Sequence, residues 1–238
     1  MNNNLTSFVG TKAGILPTGK LFNYFSFLNQ HSQKNVNLLK EKISQSGFLI
    51  LDKHNWIADI MFTMATLTKN LDIKKMIMPT AAYDMHMPIS KDLFSDLNKN
   101  GFQILPIFRK MERESIKKND WRAKYYPKTP TDEQMNQANA FFITESKKTL
   151  STPKECVIVD PFGGPAFYGQ KIKRGVMELI SVGSPIIFTL SKFDWEKLKF
   201  ETFISEPIYI SSQEKRERVR EIIMENFDKL QKLNKVIN

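Results

Sequence analysis

The chain has 238 residues, one Cys and three His, and 35 Lys and Arg against 25 Asp and Glu give it a formal net charge of +10. A single Cys excludes an intrachain disulfide framework and fits a reducing compartment. No run approaches the ~20 apolar residues of a transmembrane helix, and no signal-peptide core follows the polar start Met1 to Thr6. We therefore predict a cytoplasmic protein that does not cross a bilayer.

The positive charge is concentrated in two segments. Residues 1–46 carry five Lys and one Glu, a net charge of +4, and residues 109–128 carry eight Lys or Arg and three acids, a net charge of +5. Basic surfaces of this kind bind nucleic acid, anionic lipid head groups or acidic proteins. Composition alone does not choose among these partners.

Residues 1–46 are predicted to be a short N-terminal helical segment. The most aromatic stretch is Lys20 to Leu28, which is either an amphipathic helix that contacts a membrane interface or a helix packed on the core. A second helix, from Asn35 to Ser46, is expected to end at Gly47.

From Gly47 onward, apolar runs typical of strands alternate with patterns typical of helices. The predicted strands are Gly47 to Leu51, Lys75 to Pro79, Phe102 to Phe108, Glu155 to Val159 (with Cys156 as a core thiol), Pro185 to Leu190, and one or two within Phe200 to Ile210. One predicted helix begins after residue 56, and the others span Asp92 to Asn100, Asp132 to Leu150, Lys173 to Val182 and Ser212 to about Leu233. Residues 110–131 form a basic excursion. This alternation predicts a single α/β domain over residues 47–238, with a mostly parallel central sheet flanked by helices.

A His and an Asp near the first strand-to-helix junction are the candidate catalytic pair. His54 follows the apolar run that begins at Gly47, and Asp59 falls in the next predicted helix. On a regular helix their side chains would point about 140° apart, so they meet only if His54 precedes the helix and Asp59 lies in its first turns. A carboxylate on one imidazole nitrogen leaves the other nitrogen able to take a proton from an alcohol.

Five segments resemble, in order, those of the glycerolipid acyltransferase superfamily, the lysophospholipid and glycerol-phosphate acyltransferases. They are His54 with Asp59, Arg109 at the end of the strand Ile104 to Phe108, Lys173 to Val176, Ser184 to Ile187, and Phe203 to Ile210. The resemblance covers roughly residues 47 to 235 and implies the α/β fold of that family.

The chain departs from the family pattern at two places. Lys53 stands where an Asn is common before the His. In the family's third block, the loop that follows the strand Glu155 to Val159, Phe162 replaces a Glu and Pro165 replaces an Arg, although Pro161 and Gly163 keep the turn residues. Pro cannot supply a bidentate guanidinium clamp on phosphate. The departure therefore weakens the inference about the acceptor, whereas the inference about the fold is unchanged.

The resemblance implies transfer of a fatty acyl group from acyl-CoA or acyl carrier protein to the hydroxyl of a lysophospholipid-type acceptor, with 1-acylglycerol 3-phosphate preferred. It assigns the base to His54 and the orienting carboxylate to Asp59, with no metal and no cofactor. The substrate-binding residues it implies are Arg109, Phe162, Gly163, Gly164, Lys173 and Arg174. The expected partners are an anionic membrane surface, the acyl donor and the lipid acceptor, and nucleic acid is not expected.

Other interpretations stay open. A strand-end Arg such as Arg109 is often an ion-pair partner, and Lys173 and Arg174 also fit solvated charges at a helix start. The protein could instead be a divergent acyltransferase acting on a non-phosphate lipid alcohol. From another class, the basic charge would fit a nucleic-acid-binding module, for which salt-sensitive binding of oligonucleotides without transferase activity would be the sign.

Overall fold

The computed structural model describes residues 24–53, 57–86, 102–121, 123–126, 128–163 and 168–236. Within them the strands are β1 (Ser26–Leu28), β2 (Phe48–Lys53), β3 (Lys75–Ala81), β4 (Phe102–Ile107), β5 (Glu155–Val159), β6 (Ile186–Asp194) and β7 (Lys199–Ile204). The α-helices are α1 (Gln33–Ile43), α2 (Ile57–Asn70), α3 (Lys110–Lys118), α4 (Asp132–Leu150), α5 (Arg174–Ile180) and α6 (Arg216–Val236). The strands form a mostly parallel sheet flanked by helices, which confirms the predicted α/β class.

The chain divides into two compact units. Of the described residues, those within 24–74 and 147–236 belong to the larger unit, and those within 75–146 belong to the smaller unit. In the larger unit the strand order is β1-β7-β6-β2-β5. Its described strand pairs are parallel except for the antiparallel pair of β6 and β7. In the smaller unit β3 and β4 pair in parallel.

The parallel pair of β2 and β5 belongs to the core of the larger unit. Four consecutive residues of β2, from Phe48 to Leu51, lie opposite Cys156 to Val159 of β5, and all eight are buried. Continuous apolar runs are expected where both faces of a parallel strand are covered. The thiol of Cys156 is buried, and burial raises its pKa, so the prediction of a core thiol is confirmed.

The prediction of a helix over Lys20 to Leu28 is wrong at its C-terminal end. Ser26–Leu28 is strand β1, paired in parallel with β7, and Ser26 is buried. Aromatic residues fit a pleated, half-buried surface well, so tertiary pairing with β7 outweighs the helical pattern. The following residues also bind β7, since Asn29 donates to the buried Glu201 at 2.7 Å and Asn35 donates to the Ile204 carbonyl at 2.8 Å. The division at residue 46 stays a prediction.

Two further differences concern the element bounds, and one predicted element is not tested. The basic excursion contains helix α3 directly after Arg109. Strand β6 continues to Asp194, four residues beyond the predicted end at Leu190. The predicted helix from Asp92 to Asn100 lies outside the described residues. No helix in the described ranges is long and apolar enough to span a membrane.

Candidate functional site

The predicted catalytic junction lies between the last residue of β2, Lys53, and the first residue of α2, Ile57. Asp59 is in the first turn of α2 and is partly exposed. A carboxylate at this end of a helix is stabilised by the helix dipole. His54 and Trp56 lie outside the described residues, so the contact between His54 and Asp59 stays a prediction. The strand and helix that the motif requires on either side of His54 are present.

Lys53 places a cation at the strand end directly before His54. Its Nζ lies 3.5 Å from the centroid of the Tyr168 ring, a cation–π contact. Burial lowers the pKa of Lys53, and the Asp228 carboxylate acts in the opposite direction. The Tyr168 hydroxyl is buried without a hydrogen-bond partner in the described structure, and burial, with a smaller effect of Asp228, raises its pKa to about 12. Sequence reasoning missed this group because no local pattern links Lys53 to Tyr168.

The loop after β5 is held by Asp160. Its Oδ1 accepts the backbone N–H groups of Phe162 at 2.7 Å and Gly163 at 2.9 Å, the pattern by which an Asp side chain stabilises a turn. Phe162 is 1% exposed, and its ring contacts the ring of Tyr168, which in turn contacts the ring of Phe227. Phe162 is therefore a core side chain here, and its contact with substrate stays a prediction. Gly164 lies outside the described residues.

Lys173 is the predicted cation that the fold brings to this loop. Its backbone N–H donates to the Pro161 carbonyl at 3.1 Å. Gly163 has φ +83°, a conformation that favours glycine, and a Cβ there would lie 2.6 Å from Cε of the flexible Lys173 side chain. Arg174, the first residue of α5, is directed to its own helix, where Nε donates to Glu178 at 3.2 Å.

Arg109 is engaged in an ion pair with Glu112, a carboxylate that is 1% exposed. Nε of Arg109 donates to Oε1 at 2.9 Å, Nη2 also donates to Oε1, and the Arg109 backbone N–H donates to Oε2 at 2.8 Å. Burial acts to lower the pKa of Arg109, but the hydrogen bond and charge of Glu112 raise it overall. A bidentate clamp on phosphate through Nε and Nη2 would require this pair to open.

This geometry predicts that Arg109→Ala destabilises the protein. Glu112 would keep its buried charge and lose its main partner, which costs roughly 1–3 kcal/mol in the free energy of unfolding. The matched control is Lys110→Ala, because Lys110 is 90% exposed and its pair with Glu114 spans 3.6 Å, a pair worth at most about 0.5 kcal/mol. Urea unfolding of both variants measures the difference, and equal losses would contradict the structural role of Arg109.

Beside the junction, a buried hydrogen-bond network joins β2, α2, β6 and β7. Its members, each at most 3% exposed, are Asp52, Thr63, Thr66, Thr189, Ser191 and Thr202. Asp52 Oδ1 accepts from the Thr189 hydroxyl at 2.5 Å and from the Thr63 hydroxyl at 3.2 Å. The chain of hydroxyls then continues through distances of 2.7, 2.9 and 3.0 Å to Thr66.

The network has a definite direction. Because the single hydroxyl proton of Thr63 is given to Asp52, Ser191 must donate to Thr63, Thr202 to Ser191, and Thr66 to Thr202. Each O–H dipole therefore points toward the carboxylate, two residues before His54. Hydrogen bonds of this kind stabilise a buried charge and rigidify the strand that carries it. The nearest sequence signal is a polar Asp at the end of an apolar strand, and its partners are more than ten residues away.

The described side chains contain no group of three or more His, Cys, Asp or Glu residues placed to hold a metal ion. The chain matches no family model, and no curated protein is significantly similar to it in sequence.

Proposed function

We propose that the protein is an O-acyltransferase that moves a fatty acyl group from an acyl thioester to a hydroxyl of a lysophospholipid-type acceptor. The observation that carries the proposal is the placement of Asp59 in the first turn of α2, with the end of β2 at Lys53. In this arrangement the His-x-x-x-x-Asp spacing has its His before the helix and its Asp at the helix start. The resemblance of the five sequence segments supplies the reaction class.

In the proposed reaction, His54 takes the proton of the acceptor hydroxyl as the oxygen attacks the thioester carbonyl. The C–O bond of the new ester forms and the C–S bond breaks. The leaving thiolate then takes the proton from the imidazolium, which returns His54 to its starting form. Asp59 would hold the imidazole in the productive tautomer and stabilise its positive charge during the transfer. The donor would be acyl-CoA or acyl carrier protein.

The acceptor end of the proposal rests on Lys173. Lys173 is exposed and lies against the loop where the family holds its acceptor. We therefore propose 1-acylglycerol 3-phosphate as the acceptor, with a non-phosphate lipid alcohol as the alternative, and poor use of glycerol 3-phosphate.

A competition assay tests this choice. Lysophosphatidate, glycerol 3-phosphate and a neutral monoacylglycerol are offered together with one acyl donor. We expect Lys173→Ala to lower kcat/KM for lysophosphatidate by roughly 10- to 150-fold, the effect of about 1.5–3 kcal/mol for a charge-assisted contact. Lys171→Ala, an exposed Lys two residues earlier, is the control and should leave kcat/KM unchanged. Fast acylation of glycerol 3-phosphate by the Lys173→Ala variant would refute the acceptor assignment.

The proposal includes peripheral attachment to an anionic membrane, because the acceptor is a lipid and the net charge is +10. Apolar contact combined with basic charge is the two-signal arrangement that gives stable attachment. Sedimentation with anionic vesicles at increasing salt measures the electrostatic part, which should weaken as salt rises.

A further inference from the structure

The tip of the β6–β7 hairpin exposes two large apolar side chains. Residues 195–198 connect Asp194 of β6 to Lys199 of β7, which lie opposite each other. Trp195 is 79% exposed and Leu198 is 59% exposed. Singly exposed apolar residues are common, but Trp and Leu together on one short turn form an apolar protrusion.

Neither packing nor backbone geometry explains Leu198. Its φ is +51°, in the left-handed region that Gly and Asn adopt at lower cost than Leu. Asp194 already stabilises the turn, because its Oδ1 accepts the backbone N–H groups of Glu196 at 3.0 Å and Lys197 at 3.1 Å. A strained and exposed Leu in a turn that is otherwise well built points to a contact outside the chain.

The tip projects from the end of the sheet at which strand β2 leads into the candidate catalytic junction. Strand β6 runs parallel to β2, with Leu190 opposite Lys53. It then continues for four residues beyond the end of β2, a distance of roughly 13 Å at about 3.3 Å per residue. The exposed turn therefore stands beyond the strand end that precedes His54.

A second exposed aromatic residue lies beside the tip. Strand β1 pairs in parallel with β7, with Ser26 opposite Phe200. Tyr24, two residues before Ser26, is 66% exposed, and Nζ of Lys199 lies 4.9 Å from its ring centroid. Lys197 likewise lies 4.7 Å from the ring centroid of Phe27. The aromatic rings and the Lys side chains therefore share one end of the sheet.

The combination of residue types at this end favours a lipid surface over an acidic groove in a protein. Residues 192–199 contain three Lys against Asp194 and Glu196, a net charge of +1, and Asp194 is neutralised by its ion pair with Lys197 at 2.9 Å. Trp and Tyr with neighbouring Lys are typical of side chains at the boundary between head groups and acyl chains. Leu198 supplies the apolar group that inserts deeper.

We propose that Trp195, Leu198 and Tyr24 form a membrane-contacting tip that inserts into the surface of an anionic phospholipid bilayer. Insertion at this end turns the strand-end edge of the larger unit toward the lipid, so that a lipid acceptor reaches the junction without leaving the membrane surface. The second statement rests on the proposed acyltransferase function, whereas insertion of the tip does not.

The test is flotation of the full chain with vesicles of phosphatidylcholine and phosphatidylglycerol, without acyl donor. We expect the double substitution Trp195→Ser and Leu198→Ser to weaken binding by roughly 10- to 100-fold, from the loss of two buried apolar groups. The matched control replaces Tyr209, 57% exposed, and Leu233, 39% exposed, with Ser, and should bind as the wild type does. Equal binding by the tip variant and the wild type overturns the proposal. The proposal is also overturned if the wild-type chain does not bind vesicles but binds a protein through this tip.

A second variant separates insertion from folding. Leu198→Asn relieves the backbone cost of the left-handed conformation, so the melting temperature should rise while vesicle binding falls. A rise in both quantities would overturn the proposal. Acyl transfer to a short-chain, water-soluble lysolipid without vesicles tests the enzyme separately. If the wild type binds vesicles through the tip but transfers no acyl group, the acyltransferase function is rejected and the membrane-contacting tip is retained.

Discussion

His54→Ala is expected to lower kcat for acyl transfer by roughly 10²–10⁴-fold, the usual contribution of a positioned general base. Without the imidazole, the acceptor hydroxyl keeps its proton at neutral pH and attacks the thioester slowly. Transfer of radiolabelled acyl groups to lysophosphatidate measures the effect. Asp59→Asn should lose most of the same activity, because an amide does not hold the productive tautomer or stabilise the imidazolium.

The control for this prediction is His31→Ala. His31 is an exposed His in the short helical turn before α1, so it receives the same substitution away from the proposed chemistry. Its activity should equal that of the wild type, and circular dichroism should show that both variants remain folded. Wild-type turnover by a folded His54→Ala variant would remove His54 from the mechanism, whereas absence of acyl transfer by the wild type would refute the acyltransferase proposal.

Asp52→Ala is expected to be the most destabilising of the substitutions proposed for this protein. The hydroxyls of Thr189 and Thr63 would lose a buried acceptor, at a cost of about 1–3 kcal/mol each, so the free energy of unfolding should fall by roughly 2–5 kcal/mol. The polarised chain from Thr66 to Asp52 would also lose the charge toward which it points. Urea unfolding followed by tryptophan fluorescence measures the loss.

The matched control is Asp72→Ala. The Asp72 side chain is 74% exposed and pairs with Lys154 at 2.6 Å, an arrangement worth about 0–1 kcal/mol at the surface. Comparable losses for the two Asp variants would mean that the buried network contributes no more than a surface ion pair. If only Asp52→Ala is destabilised, restoring a hydrogen-bond acceptor by Asp52→Asn should recover part of the loss.

The central elements could be predicted from the sequence because their signals are local. The apolar run of β5 and the amphipathic pattern of α4 were predicted with the bounds that the structure has, Glu155–Val159 and Asp132–Leu150. The position of Asp59 at a helix start was also predicted, since a five-residue spacing can bring a His and an Asp together only at a junction. Periodicity within one element carries this information without reference to the rest of the chain.

Other features were decided by contacts between residues far apart in the chain. Ser26–Leu28 is a strand because β7, some 170 residues later, offers it a parallel edge. Thr189 meets Asp52 across 137 residues, and Lys53 lies over Tyr168 only after β2 and the loop beyond β5 come together. No local pattern encodes such partners, since hydroxyls and rings look alike in sequence whether they face solvent or one another. The sequence by itself therefore determined the order and type of the central elements and the residues offered for chemistry. Tertiary packing decided which buried groups lie beside the junction, and it decided that the hairpin of β6 and β7 extends beyond the junction.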